Sequence, residues 1–249
     1  MALVETESLV LKSYNLAEAD RIVLFLTSDH GLVRGVAKGA KRLKSKFGSS
    51  LEPFSVVRLT YFQKDAVELV SIQTVELLRS HFSVSSDPAF LQKFSFLADL
   101  LTSVTPPHDP NNDLYRMVKA CLETASADES RLRATGLYFE LWLLRLGGYL
   151  PDWTRCETCA RDLTDDMRSA SMLASFQLSC AGCRRGGGEI THSMRTMVAD
   201  AQRTSPAVFV ESFAGNHADT VELLMILRRL LSQAAGRPIA EEISLGIGK

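Results

Sequence analysis

Four of the five cysteines form two C-x-x-C pairs with 20 residues between them. Each pair allows one tight turn to present two thiolates to the same ion, and two such turns complete a tetrahedron. The spacing lies at the edge of the range seen in zinc ribbons. We therefore predict one structural Zn2+ per chain, held by Cys156, Cys159, Cys180 and Cys183.

Other uses of paired cysteines match this pattern less well. A redox dithiol needs one pair at a helix N-terminus, and iron–sulfur clusters usually have different ligand spacings. Because the protein would supply all four ligands, no coordination position is left for a catalytic water. The ion is expected to stabilise the fold of residues 151–191, which contain too little apolar material to fold alone.

A second chemically distinctive stretch is RGVAKGAKRLKSKFG, residues 34–48, called the basic segment below. It has six cations and no acidic residue, although the whole chain has a net charge of −1. Solvated faces usually mix both signs, so this segment favours binding to a phosphate backbone over the alternative of a solvated loop. Phe47 is the ring best placed to stack on a base. The cations are Arg34, Lys38, Lys41, Arg42, Lys44 and Lys46.

The elements before residue 80 predict a small β-barrel. Five short runs rich in Val, Leu, Ile, Thr and aromatic residues lie between residues 5 and 75, and turn residues separate them. Five strands suit an OB-type barrel, although an SH3-like barrel fits the count nearly as well. The loops and one face of such barrels commonly bind single strands, so residues 1–80 are predicted to be an OB-fold DNA-binding domain.

The apolar spacing changes to three and four after residue 80, which predicts amphipathic helices. Residues 81–150 and 192–249 are expected to form a helical domain, with residues 151–191 as a four-cysteine zinc-finger insertion. The predicted fold class is thus α+β and multidomain: an N-terminal OB-fold barrel followed by a helical bundle.

No phosphate-binding loop, dinucleotide fingerprint, nucleophile elbow or metalloprotease motif occurs in the chain. This favours a binding protein over an enzyme, with no catalytic residues. The alternatives are a zinc-ribbon nucleic-acid-processing enzyme with an accessory barrel, and an assembly scaffold whose basic loop is only solvated. The absence of a bilayer-length apolar run and of a signal-peptide pattern predicts a cytoplasmic protein without membrane contact.

The N-terminal residues also carry a family resemblance. Glu18, Asp20, the Ile22–Val23 pair, Thr27, Gly31 and the run Val36–Arg42 match a pattern of the RecO family of bacterial DNA repair proteins. Phe25–Leu26 inverts the Leu-Phe order of the family, which exchanges two apolar strand residues. The chain resembles this family over nearly its whole length, including the cysteine pairs.

This resemblance implies a recombination mediator of the RecF pathway. RecO-like proteins bind single- and double-stranded DNA, anneal complementary strands, engage RecR and single-strand-binding protein, and help load the recombinase RecA, with a functional link to RecF. It implies Arg21 and the basic segment as DNA contacts and the four cysteines as zinc ligands. It also implies a bacterial cytoplasmic, nucleoid-associated location.

Overall fold

The computed structural model describes residues 2–16, 18–63, 68–81, 87–184, 186–213 and 215–239. It divides into two compact units, residues 1–132 and 133–249. The predicted domain limits at 80, 150 and 191 remain predictions. None of the helices in the described ranges is both long enough and apolar enough to cross a bilayer.

The first unit contains a closed five-stranded barrel of order β1-β2-β3-β5-β4. β1 pairs antiparallel with both β2 and β4, and β3 pairs with β5 in parallel. This closure is the OB-type arrangement, so the predicted fold class is confirmed and the SH3-like alternative is wrong. The strands are β1 (Ala2–Leu16), β2 (Asp20–Thr27), β3 (Leu32–Ala37), β4 (Val56–Gln63) and β5 (Leu69–Arg79).

Side chains that point alternately inward and outward along the strands form the barrel core. Val23 and Phe25 on β2 are fully buried, whereas Leu24 between them lies on the outer face and is only half-buried. Val57, Leu59 and Tyr61 on β4 fill the interior in the same way. Burial of these side chains is the main source of the barrel's stability.

Two helices complete the first unit: α1 (Pro88–Val104) and α2 (Asn112–Ser126), followed by the one-turn 3-10 helix at Glu129–Arg131. α1 begins where Asp87 accepts hydrogen bonds from the amides of Ala89 and Phe90, with Pro88 in its first turn. α2 is joined to the barrel because Glu7 Oε1 accepts hydrogen bonds from Tyr115 (2.8 Å) and Lys119 (2.6 Å).

The second unit contains helices and a small sheet of order β7-β6-β8. Glu140 on α3 is fully buried and pairs with Arg228 on α6 at 3.3 Å. The helix α5 was not predicted, because its six residues are too few to show a helical period. The elements are α3 (Leu132–Leu146), β6 (Ala170–Met172), β7 (Leu178–Ser179), β8 (Glu189–Ile190), α4 (His192–Arg203), α5 (Pro206–Glu211) and α6 (His217–Ala235).

Candidate nucleic-acid interface and metal centre

The basic segment begins on β3 and continues as the loop that leads to β4. The loop is tied to the start of β2: the amide of Gly39 donates to Asp20 Oδ1 at 2.8 Å, and the amide of Lys41 donates to the carbonyl of Ala19 at 2.9 Å. Gly39 has φ +73°, a conformation that favours glycine. Asp20 therefore positions the loop, a role that its sequence position did not reveal.

All six cations of the basic segment are exposed, and four of them have no carboxylate within 4.0 Å among the described residues. The other two have partners: Arg34 lies 3.4 Å from Glu68, and the Lys46 ammonium donates to the carbonyl of Gln73 at 2.5 Å. A cluster of unpaired positive charge therefore remains on the loop, as the sequence suggested. These four cations, called the unpaired cations below, are Lys38, Lys41, Arg42 and Lys44.

Arg21 lies at the start of β2 and is not one of the unpaired cations. Its guanidinium lies 3.5 Å from Glu52, and its side chain is 30% exposed. Because this ion pair is partly exposed, a phosphate can compete with Glu52 for the guanidinium at little cost. A DNA contact by Arg21 remains a prediction.

The expectation for Phe47 requires correction. Its side chain is only 2% exposed and packs in the barrel core with Leu51 and Val57. The Lys46 ammonium lies 5.1 Å from the centre of the ring. The turns within the basic segment bring Phe47 back into the barrel core, so its ring is not available to stack on a base.

The four paired cysteines come together in the second unit, with all their sulfur atoms within 4.8 Å of one another. Cys159 Sγ and Cys180 Sγ are 3.8 Å apart. The first pair sits in a turn that the Ala160 amide closes on the carbonyl of Cys156, and the second in a turn that the Cys183 amide closes on the carbonyl of Cys180. The arrangement is compatible with a four-thiolate metal site.

The electrostatics of the cluster also suit a cation. Burial alone raises the pKa of Cys156, but hydrogen bonds from the amides of Cys180, Cys159 and Thr158 outweigh it and lower this pKa to about 6. Hydrogen bonds with the sulfurs of Cys159 and Cys180 raise the pKa of Cys183 to about 12. Thiolates this close repel one another, and a divalent cation would stabilise all four as thiolates.

A buried arginine on α4 supports the cysteine region, and the sequence analysis missed it. Arg195 is 5% exposed, and its guanidinium donates to the carbonyls of Asp166, Arg168 and Ile190. It thereby fixes the chain just before β6. The sequence feature that could have indicated this role is the position of Arg195 on the same helix as the apolar residues Met194, Met197 and Val198, which are buried.

Comparison with known proteins covers both halves of the chain. The family model for the N-terminal part of recombination protein O matches residues 1–81, and the model for its C-terminal part matches residues 91–242. The chain is 31% identical over 212 residues to the DNA repair protein RecO of Koribacter versatilis (strain Ellin345), covering 85% of this chain and 84% of that protein.

Two further relatives carry the same description. The DNA repair protein RecO of Geobacter metallireducens is 30% identical over 187 residues, covering 74% of each chain. That of Anaeromyxobacter sp. (strain K) is 27% identical over 183 residues, covering 74% of this chain and 71% of the relative. With the OB-type barrel, the helices and the cysteine cluster, these matches show that the chain belongs to the RecO family of DNA repair proteins.

Proposed function

We propose that this protein is a recombination mediator that binds single- and double-stranded DNA through its basic segment. The observation that carries the proposal is the group of unpaired cations on a loop of an OB-type barrel, in a chain of the RecO family. A charge without an internal partner gains more from a phosphate than one that must first leave a carboxylate.

Annealing of complementary strands follows from the same charge. Two single strands repel each other through their phosphates, and a cationic surface that binds both lowers this repulsion. The described part of the segment offers lysines and arginines on a loop, not an element shaped to enter a groove and contact base edges. Sequence selection is left to base pairing, and no nucleotide hydrolysis is required.

The family resemblance extends the proposal to protein partners. In this role the protein engages RecR and single-strand-binding protein and helps load RecA onto strands coated with single-strand-binding protein, in the pathway that also uses RecF. The chain is then a binding protein and not an enzyme.

The metal at the cysteine cluster is, in this proposal, one structural Zn2+. A tetrahedral ion with Zn–S bonds of about 2.3 Å separates its sulfurs by roughly 3.8 Å. The observed 3.8 Å between Cys159 Sγ and Cys180 Sγ fits that edge. The ion would be held by Cys156, Cys159, Cys180 and Cys183. By linking the two cysteine pairs, it would stabilise a region that has too little apolar material for a hydrophobic core of its own.

A strand-annealing assay tests the proposal. Two complementary oligonucleotides, one with a donor dye and one with an acceptor, are mixed with and without protein, and energy transfer is followed over time. We expect the protein to accelerate annealing without ATP, and the effect to fade as salt rises. A protein that binds neither single strands nor duplex, or that cleaves them when Mg2+ is added, would contradict the proposed function.

A further inference from the structure

A cleft of about 270 Å3 lies on the outer face of the barrel, between its strands and the chain that follows α1. β1 contributes Lys12 and Tyr14, and β3 contributes Leu32 and Arg34. Pro107 lies on the opposite wall. All of these residues belong to the first compact unit.

The wall opposite the strands is held in place. The amide of His108 donates to the carbonyl of Leu32 at 3.1 Å, and Leu32 pairs with Pro107 in an isolated β-bridge. Gly31, at φ +65°, lies so close to Asp109 that a Cβ would be 2.2 Å from its carbonyl oxygen. The cleft is therefore preformed, and a ligand need not order it.

The surface inside the cleft is largely apolar and includes one available aromatic ring. Leu24, Leu32 and Pro107 provide the apolar lining. The Tyr14 side chain is about half exposed, and within the described ranges it makes no hydrogen bond or ring contact. A half-exposed tyrosine without a ring partner on a nucleic-acid-binding barrel is a ready platform for a flat, apolar group.

Cations stand at the rim of the cleft. Lys12 pairs with Asp99, and Arg34 lies 3.4 Å from Glu68. Arg34 and Glu68 are both exposed, so their pair is worth little and a phosphate can replace Glu68. Asp99 is likewise 64% exposed, whereas the Lys12 side chain is only 18% exposed.

The cleft is continuous with the basic segment. Arg34 at its rim lies four residues before Lys38, which is about 13 Å along an extended chain. That distance is roughly four phosphate spacings of one strand along the axis of B-DNA, and an extended single strand covers it in fewer nucleotides. A strand bound along the unpaired cations therefore reaches the cleft within a few nucleotides.

From these observations we propose that the cleft holds one unstacked base of a bound single strand. The base stacks on Tyr14, and the adjoining phosphates lie near Lys12 and Arg34. The volume, just below the range of drug-sized ligand pockets, suits a single base and excludes a longer stretch of polymer. This inference rests on the proposed DNA binding and adds a base-stacking site that replaces the role first expected of Phe47.

The test uses the full-length protein and a single-stranded oligonucleotide that carries the fluorescent base 2-aminopurine at one position. We expect Tyr14→Ala to weaken binding roughly 5- to 150-fold, the range of one lost base stack, and to leave the salt dependence unchanged. The change in 2-aminopurine fluorescence on binding should disappear in Tyr14→Ala and persist in Tyr14→Phe. The matched control is Leu3→Ala, which removes a 62% exposed apolar side chain of β1 outside the cleft and should change neither readout.

Each outcome of the test decides the inference. One outcome is that Tyr14→Ala binds DNA with the wild-type affinity and the wild-type change in 2-aminopurine fluorescence, while loss of the unpaired cations weakens binding. In that case the base site is wrong and the proposed function stands. If neither change affects binding, both are wrong. Excess deoxyadenosine monophosphate should displace 2-aminopurine from the cleft and so reverse the fluorescence change. Displacement by N-acetyltryptophanamide instead would show that the cleft takes a peptide side chain, which would overturn the inference.

Discussion

Neutralising the four unpaired cations should remove most of the salt dependence of DNA binding. The variant replaces Lys38, Lys41, Arg42 and Lys44 with glutamine. These four native side chains are exposed, and none has a carboxylate within 4.0 Å in the described part of the chain. If each cation neutralises one phosphate, four contacts give a slope of log affinity against log salt of about −2.8 for single strands and about −3.6 for duplex.

This slope has a measurable consequence. Through these four contacts, raising salt fourfold, from about 50 to 200 mM, should weaken single-strand binding by the wild type about 50-fold. The variant should bind weakly at low salt and keep only the smaller slope of the remaining phosphate contacts, because it releases four fewer counterions on binding. Fluorescence anisotropy of a labelled oligonucleotide at several salt concentrations gives both slopes.

A control variant removes the same amount of charge elsewhere. It replaces with glutamine four cations that lie on helices outside the basic segment, and it should keep most of the wild-type slope because it leaves the unpaired cations in place. Equal slopes for the wild type and the basic-segment variant, with both proteins folded by circular dichroism, would refute the reasoning. The control cations are Lys93, Arg116, Arg131 and Arg203.

Three further predictions concern the scaffold. Removal of metal with a chelator should release one Zn2+ per chain and lower the melting temperature by roughly 10 °C or more, because structural zinc contributes several kcal/mol to folding; metal analysis and a thermal melt check this, and an unchanged melt would contradict it. Glu140→Leu removes the buried carboxylate that pairs with Arg228 and should cost about 3 kcal/mol in urea unfolding, whereas the double change with Arg228→Met should recover most of that loss. Hydrogen bonds from Lys119 and Tyr115 lower the pKa of Glu7 below 4.5, so its contribution is present above pH 4.5 and is lost as pH falls through the lowered pKa. Glu7→Gln should therefore cost about 1 kcal/mol at pH 7, and this cost should shrink as pH falls below 4.5; a cost that grows in acid would be inconsistent with this ion pair.

The features that depend on neighbouring residues were predictable from the sequence. A C-x-x-C turn is local, so two of them already bring the sulfurs into pairs, and only the approach of the second pair to the first is a tertiary event. The helix start at Asp87–Pro88 is likewise fixed by capping within a few residues. The absence of acids in the basic segment predicted its unpaired charge, because few carboxylates are near enough in the chain to pair with it.

Features set by distant contacts were not predictable. The choice between barrel types depends on β1 pairing with both β2 and β4, and no local pattern reports that closure. The β-bulge between Val10 and Lys12 shifts the alternation of β1, so that Tyr14 faces outward into the cleft. Phe47 lies in a run of turns without a period, so its sequence neighbours gave no sign that its ring returns to the core.

The most direct test of the account is a lysine footprint of the protein with and without single-stranded DNA. Surface lysines are acetylated briefly, and mass spectrometry measures the extent at each site. We predict that bound DNA protects Lys38, Lys41 and Lys44 several-fold, while Lys93 on α1 reacts as in the free protein. If DNA binds at saturation and these three lysines react as fast as before, the basic segment is not the DNA-binding surface.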